Sequence, residues 1–283
     1  MADSFNALFT HGAATARSPS GRTPVLLVSH EASRTGAPLT LLWLAEALRA
    51  MDCFDLRIVT RLGGPLVKDF ARIAPVCNGP DHYARLAVNP AVFATVIANG
   101  FAATEPRGLA VCNTACIAEY NEAFRRAGVD VLTLLHELPM VIDSKTMDIV
   151  VRSSRYVGVY SEWNRARFKD DKAIPADKLL FTPPRLPHLA STVATPRQRR
   201  AARRAIGVPD DALIVLGAGY LHLIKGSDLF VQIAARCARA LEPELRRRLV
   251  FCWIGDTETD LRLYFLHDVA ALNLSGIVSL AGP

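Results

Sequence analysis

The sequence predicts an α/β fold in which two doubly wound domains are each built on a parallel β-sheet. Short apolar runs alternate with helical patterns along the chain, and a proline-rich segment divides this alternation into two parts. Strands that are separated by helices form parallel βαβ units, whose strands are buried on both faces. Of the 283 residues, 51% are hydrophobic, which is sufficient for extensive cores. We therefore expect two Rossmann-like domains.

The first domain is expected over residues 23–185, after a tail at residues 1–22. The tail has no basic segment followed by an apolar one, so it is not a signal peptide, and we expect it to be flexible. Helical patterns lie at residues 39–50, 116–127 and 142–152. The strands are short apolar runs at residues 25–29, 56–60, 109–113, 131–135, 156–160 and 179–182.

A proline-rich linker is predicted at residues 186–196, and a second domain follows at residues 197–283. This domain is shorter than the commonest domain sizes. Its last strand runs directly into Ala281-Gly282-Pro283, where the next helix should begin, so we expect it to be incomplete. Its predicted elements are helices at residues 196–206, 227–241 and 261–272 and strands at residues 212–217, 249–254 and 277–280.

Composition limits the classes of partner. The formal net charge of +6 is compatible with an anionic small molecule or an anionic membrane surface, but it is no signature of nucleic-acid binding. No apolar run reaches 18 residues, so no membrane-spanning helix is expected and we place the protein in the cytoplasm. The six cysteines lie mostly in apolar runs and are expected to be buried and reduced. Cys112 and Cys116 have no second ligand pair nearby, so no metal site is predicted.

Ligands of open α/β sheets bind at the carboxyl ends of the strands, so the residues at those ends are the candidates. Gly36 and Ala37 follow the first strand, where small residues let a ligand approach, although a tight turn explains them equally well. His136 follows a later strand and can bond a substrate hydroxyl or move a proton, whereas a loop-capping role remains an alternative. Ser161 and Glu162 begin a helix, and capping by Ser161 is a sufficient explanation for them.

The most specific motif is the stretch GAGYLHLIKG, residues 217–226. Gly219 allows close approach of a ligand, and Lys225-Gly226 places a cation beside a helix N-terminus, an arrangement that favours a diphosphate. The dinucleotide fingerprint is incomplete because His222 occupies its third glycine position, and the spacing differs from that of a Walker P-loop. A surface lysine on a turn is the alternative.

Together these elements resemble the retaining glycosyltransferases of family 4, which have the GT-B architecture of two Rossmann-like domains. The stretches SHEASRTGAP, LLHELP and GVYSEWNRARF are similar to family loops of the first domain, and GAGYLHLIKGSDLFVQIA is similar to the start of the donor domain. The resemblance covers most of residues 24–283. It implies a nucleotide-diphosphate sugar as donor substrate, no cofactor and no metal, and a glycan or lipid-linked acceptor that suggests contact with the inner face of the membrane.

The resemblance also implies roles for individual residues. His136 would face the donor sugar as the catalytic residue, and Lys225 would bind the donor diphosphate beside Gly219, Tyr220 and Gly226. Gly36 and Ala37 would line the cleft on the other side, with Ser161 and Glu162 in the same acceptor or phosphate region.

Two departures from the family leave other functions open. Tyr220 stands where the family has an arginine. No pair of glutamates separated by seven residues occurs in the chain, and the family's pair would be expected after the final Leu280-Ala281-Gly282-Pro283. A non-catalytic binding or assembly protein with the same fold is therefore an alternative to the enzyme. A nucleotide-dependent oxidoreductase is a weaker one, because the third glycine is missing.

Overall fold

The structure is a computed structural model that describes residues 2–12, 21–172, 174–183, 193–255 and 260–281. The chain divides into two compact units, Met1–Ala190 and Ser191–Pro283. This division falls within the predicted linker at residues 186–196, of which residues 186–192 lie outside the described part of the chain.

The first unit alternates strands and helices as predicted. Its strands are β1 (Thr23–Ser29), β2 (Phe54–Thr60), β3 (Val76–Asn78), β4 (Leu109–Asn113), β5 (Asp130–Leu135), β6 (Tyr156–Val159) and β7 (Leu179–Phe181). Its helices are α1 (Ala2–Asn6), α2 (Gly36–Ala50), α3 (Val67–Ala71), α4 (Pro80–Leu86), α5 (Pro90–Thr104), α6 (Ala118–Arg126), α7 (Ser144–Ser153) and α8 (Glu162–Lys172), with one-turn 3₁₀ helices at Ala115–Ile117 and Pro139–Val141.

The seven strands form one parallel sheet in the order β3-β2-β1-β4-β5-β6-β7. Successive side chains of β1 point to opposite faces of the sheet, and each face has its own hydrophobic core. Leu26 and Val28 pack with α5 and α6 on one face, and Val25 and Leu27 pack with α2 and α3 on the other. The strand order reverses between β1 and β4. In such sheets the crevice at the carboxyl ends of the two strands at this switch point is the usual ligand site.

Besides α1, four described elements of the first unit are not predicted from the sequence: β3, α3, α4 and α5. β3 has only three residues, which is too short for a period-2 pattern. α5 is apolar on nearly all sides, so it lacks the 3.6-residue alternation that identifies a surface helix. The start of α5 nevertheless has a typical sequence signal, an Asn89-Pro90 pair. The side chain of Asn89 caps the helix by accepting hydrogen bonds from the N–H groups of Ala91 and Val92, and Pro90 is the first helical residue. α3 and α4 are short helices of the same region.

The prediction of a flexible tail over residues 1–22 is wrong for residues 2–12. Phe5 and Leu8 are buried in the core beside α5, and the Nε2 atom of His82 lies 2.8 Å from the carbonyl oxygen of Leu8. His11 forms a β-bridge with Val76 and an ion pair with Asp81. Apolar side chains at helical spacing near the N-terminus therefore belong to the core, and residues 13–20 lie outside the described residues.

The cysteine prediction is also corrected in part. All six cysteines are free, and Cys77, Cys112 and Cys252 are buried as expected, but Cys53 and Cys116 are exposed. Cys53 lies in the bend before β2 and Cys116 in the 3₁₀ helix at Ala115–Ile117, so both stand outside the buried strands.

The second unit contains a parallel sheet in the order β10-β9-β8. Its strands are β8 (Leu213–Ala218), β9 (Leu249–Ile254) and β10 (Val278–Ala281), and its helices are α9 (Pro196–Ala205), α10 (Ser227–Ala240), α11 (Pro243–Arg248) and α12 (Leu261–Ala271), with a 3₁₀ turn at Leu223–Lys225. Phe230, Phe251 and Trp253 form its aromatic core. β8 pairs only with β9 among the described residues, and its Leu213 and Leu216 are exposed. The sheet is that of a partial domain.

No single helix in the described part of the chain is long and apolar enough to cross a membrane. α4 and α5 reach that length only together, and they meet at an angle of 98°.

Candidate active site

The candidate site lies at the carboxyl ends of β1, β4, β5 and β6, beside the switch point of the large sheet. Asn113 is the last residue of β4 and is fully buried. Its Nδ2 donates to the carbonyl oxygen of Ala37 over 2.9 Å, and its Oδ1 lies 2.7 Å from Nε2 of His136. The buried amide therefore joins two segments that the sequence had singled out separately, the glycine turn and the histidine loop.

Tyr160 completes the surroundings of the histidine ring. Its ring contacts that of His136 at a centroid distance of 4.4 Å and a tilt of 32°, and its hydroxyl lies 3.2 Å from Nε2. Burial raises the pKa of the Tyr160 phenol, so the hydroxyl keeps its proton at neutral pH. The opposite nitrogen of the histidine, Nδ1, has no partner among the described residues and is therefore the nitrogen available to a ligand.

Both histidines of the site are uncharged at neutral pH. Burial, followed by the nearby His30, lowers the pKa of His136 to about 4. Burial also lowers the pKa of His30, against the opposing influence of Glu31 and Glu137. The Nδ1 atom of His30 is buried without a hydrogen-bond partner in the described structure. A buried polar atom of this kind is uncommon and marks the region as one where a ligand could complete the bonding.

The turn before α2 exposes two backbone donors. Thr35 occupies the N-cap position, but its side chain bonds Ser33 and Glu31 instead of capping the helix. The N–H groups of Gly36 and Ala37 have no acceptor among the described residues. A Cβ atom on Gly36 would meet nothing within 4 Å, and Gly36 has no positive φ. The turn itself thus does not require a glycine, which favours ligand approach over the tight-turn interpretation.

A strained residue and a carboxylate hold the ends of β4 and β5 together. Thr114 adopts φ 94°, ψ 156°, a conformation that is costly for a β-branched residue and tends to occur at functional sites. Its N–H donates to the carbonyl of Leu134 over 2.8 Å. Glu137 accepts hydrogen bonds from the N–H groups of Ala115 and His136, both at 3.0 Å. Glu137 also lines a cleft of about 270 Å³.

The third predicted loop lies at the same edge of the sheet. The Oγ atom of Ser161 accepts a hydrogen bond from the N–H of Asn164 over 3.0 Å, so Ser161 caps α8 as predicted. Glu162 is exposed and forms an ion pair with Arg165 at 2.7 Å. Neither residue contacts His136, although Ser161 directly follows Tyr160, which does.

The second unit brings Lys225 and Trp253 together around Gly219. Gly219 has φ 134°, and a Cβ atom there would lie 3.6 Å from the Cγ of Lys225, so the lysine stem passes over the glycine. The indole nitrogen of Trp253 donates to the Gly219 carbonyl over 2.8 Å. Gly226, in the left-handed conformation, is the N-cap of α10 without a side-chain cap, as the position of Lys225-Gly226 predicted. Tyr220 is exposed beside this loop.

Sequence reasoning missed Asn113 and Tyr160 as site residues. Asn113 is the last residue of β4, and Tyr160 directly follows β6. Because ligands of such sheets bind at the carboxyl ends of the strands, both positions could have been chosen as candidates. No local pattern, however, reveals which strand ends are adjacent. Among the described residues, no group of three or more histidine, cysteine, aspartate or glutamate side chains could hold a metal ion.

Several known proteins are similar to the chain, although no family model matches it. A D-inositol 3-phosphate glycosyltransferase of Stackebrandtia nassauensis is 38% identical over 110 residues, which are 38% of this chain and 24% of that relative. A relative of the same name from Kribbella flavida is 43% identical over 63 residues, or 22% of this chain and 15% of that protein. The matched segments thus span less than a quarter of these relatives.

The solved structures show a more extensive likeness. Anabaena HepE in complex with UDP-glucose superposes with a TM-score of 0.71 at 16% identity, over 92% of this chain and 69% of that one. A glycosyltransferase from Rickettsia africae gives a TM-score of 0.68 at 15% identity, over 92% and 68% of the two chains. WaaG, a glycosyltransferase of lipopolysaccharide biosynthesis, gives 0.58 at 13% identity, over 91% and 70%. At such identities the likeness shows the fold alone, and the chain has the α/β fold of the GT-B glycosyltransferases, with a partial second domain.

Proposed function

We propose that the protein is a glycosyltransferase that moves a sugar from a nucleotide-diphosphate sugar to an acceptor. The observation that carries the proposal is the buried linkage from Ala37 through Asn113 to His136 at the switch point of the sheet. It places an uncharged histidine beside the two free N–H groups of the glycine turn. The named glycosyltransferase relatives and the UDP-glucose bound to HepE support this function.

The chemistry of the leaving group agrees with the residues present. When a nucleotide diphosphate leaves a sugar, negative charge develops on its phosphate oxygens, and fixed donors stabilise that charge. Lys225 supplies a cation at the start of α10, where the helix dipole also favours an anion. We assign donor binding to Gly219, Tyr220, Lys225 and Gly226. His136 is proposed to bond the sugar near the reacting carbon, because its ring is uncharged at neutral pH and its Nδ1 has no partner among the described residues.

The same proposal includes the mechanism, the acceptor and the location. By resemblance, the enzyme would be a retaining member of family 4 that needs no metal and acts on a glycan or lipid-linked acceptor. A role in polysaccharide biosynthesis would place it in the cytoplasm at the inner face of the membrane. Gly36 and Ala37, with Ser161 and Glu162, would contact phosphate or acceptor.

A non-catalytic binding protein is the second candidate. It is favoured by Tyr220, which stands where the family it resembles has an arginine, so Lys225 lacks a companion cation. Binding of a nucleotide sugar without transfer or hydrolysis of the sugar would identify this candidate. The oxidoreductase remains the weaker alternative, because His222 occupies the third glycine position of the dinucleotide fingerprint.

The proposal is tested by thermal unfolding of the chain with panels of UDP-, GDP- and ADP-sugars. A ligand that binds only the folded state raises the unfolding midpoint with the logarithm of its concentration. We expect a rise with one nucleotide class, and a loss of binding of roughly 10- to 100-fold in Lys225→Ala, since a charge-assisted bond contributes about 1.5–3 kcal/mol.

Arg239→Ala is the matched control, because this exposed cation lies on the same helix, roughly 20 Å from its start. It should bind the nucleotide sugar as the wild type does. Lys225→Arg, which keeps the charge, should retain part of the affinity. No midpoint shift with any nucleotide sugar, or an equal loss in the Lys225 and Arg239 variants, would contradict the proposal.

A further inference from the structure

We propose that Asn113 is a positioning residue that holds His136 in the tautomer protonated on Nε2 and ties its ring to the first turn of α2. The role in transfer rests on the function proposed above, whereas the tautomer itself can be observed without any substrate. Asn113 touches the histidine ring and the backbone, and it is fully buried, so it acts through His136 and not on a ligand.

The direction of each hydrogen bond follows from what the partner can do. A carbonyl oxygen only accepts, so the end of the Asn113 amide that lies 2.9 Å from the Ala37 carbonyl is the donor Nδ2. The other end, Oδ1, therefore faces Nε2 of His136 at 2.7 Å. Because Oδ1 only accepts, the proton of the neutral imidazole must lie on Nε2.

This assignment determines what the histidine offers to a ligand. With its proton held by Asn113, the ring presents Nδ1 as a hydrogen-bond acceptor, so it favours a hydroxyl group over a phosphate oxygen. The Tyr160 hydroxyl lies 3.2 Å from the same Nε2, and its own proton is free to point towards a ligand. The two neighbouring side chains thus present an acceptor and a donor.

The surroundings make this arrangement rigid. Asn113 precedes the strained residue Thr114, whose N–H donates to the carbonyl of Leu134 and whose Oγ1 accepts from the N–H of Cys116. The amide also connects β4 with α2 across 76 residues of sequence. A displaced turn at Ala37 would therefore move the ring of His136, so the phosphate-facing turn and the sugar-facing side chain are mechanically linked.

The chain offers a matched control in Asn121. It is a second fully buried asparagine of the same unit, and its Nδ2 bonds Thr133 and Ser154 without touching His136. Asn113→Ala and Asn121→Ala each remove one buried amide, so a general loss of packing should affect both variants alike. Only the first should change the histidine.

The test is nitrogen-15 NMR of the full chain, with the His136 signals assigned by His136→Gln. We expect a hydrogen-bonded ring proton on Nε2 in the wild type and in Asn121→Ala, and its loss by solvent exchange in Asn113→Ala. Asn113→Asp keeps an acceptor, so the proton should remain, and the added carboxylate should raise the pKa of His136 by at least one unit. A proton on Nδ1 in the wild type, or an unchanged spectrum in Asn113→Ala, would overturn the proposal.

Asn113→Asp keeps the side-chain volume, so it decides the matter if the alanine variant fails to fold: an unchanged pKa of His136 would then refute the contact. The kinetic arm uses the nucleotide sugar that stabilises the wild type most. Asn113→Ala should lower kcat roughly 10- to 100-fold with little change in KM, because misplacement of a catalytic group has effects of this size. If no nucleotide sugar binds the wild type, the proposed function fails while the NMR result still decides the role of Asn113.

Discussion

Replacing Gly36 by alanine should separate ligand binding from stability. Gly36 is the first residue of α2, it is exposed, and an added Cβ atom would meet nothing within 4 Å. Because its φ is not positive, alanine fits the backbone and restricts the unfolded chain, which stabilises a protein by about 0.4–1 kcal/mol. In a unit of this size we expect the unfolding midpoint to rise by about 1–3 °C.

The same methyl group should weaken binding of the nucleotide sugar. A phosphate oxygen that bonds the N–H groups of Gly36 and Ala37 approaches to about 2.9 Å, and the methyl group would stand in its path. Loss of one charge-assisted hydrogen bond, about 1.5–3 kcal/mol, corresponds to roughly 10- to 100-fold in affinity. The assays are denaturant unfolding without ligand and titration with the nucleotide sugar that stabilises the wild type.

Gly276→Ala is the control, since Gly276 lies in the turn before β10, also faces open space and has no positive φ. It should leave affinity unchanged. The prediction would be refuted if the affinity of Gly36→Ala for the nucleotide sugar were within twofold of that of the wild type. Gly36 would then be only a turn residue. A less stable Gly36→Ala protein would equally contradict the prediction.

Three further outcomes are expected. Gly217→Ala should destabilise the second unit by about 1–3 kcal/mol in urea unfolding, because the new methyl group would collide with the buried ring of Trp253; an unchanged urea midpoint would contradict that contact. The hydrogen bond from Arg125 is the main cause that lowers the pKa of Glu122 from 4.5 to about 2. The ionised Glu122 therefore stabilises the folded state above pH 4.5, and this stabilisation is lost as the pH falls towards 2. Glu122→Gln should therefore be less stable at pH 7, by about 1 kcal/mol after allowance for solvent screening, and the difference should vanish near pH 2; a difference independent of pH would refute the ion-pair explanation. One edge of β8 has no pairing strand among the residues that the structure describes, and Leu213 and Leu216 are exposed on that strand. This edge should make the chain self-associate, and a monodisperse monomer at high concentration in light scattering would count against this.

The sequence by itself determined the order and type of most elements. Runs of β-branched and aliphatic residues predict nine of the ten strands in the described part of the chain, because a strand buried on both faces is apolar throughout. The start of α10 after Gly226 and the capping of α8 by Ser161 also follow from local chemistry. These features depend on neighbours within a few residues, so they can be read without knowing the rest of the fold.

Local patterns failed where burial depends on distant partners. Phe5 and Leu8 lie in a short terminal segment that reads as a loose tail, yet α5 supplies the apolar surface that buries them. β3 is recognisable only by its pairing with β2, since three residues carry too little pattern.

The candidate site shows the same division. The sequence identifies Gly36 and His136 separately, as polar or small residues at strand ends. Only the tertiary structure brings them together through Asn113, which lies 76 residues from Ala37 and 23 from His136. The strand order β1-β4-β5 decides which loops meet at one edge, and it is set by how helices pack on both faces of the sheet. That packing is a property of the whole domain, so no short stretch of sequence could reveal it.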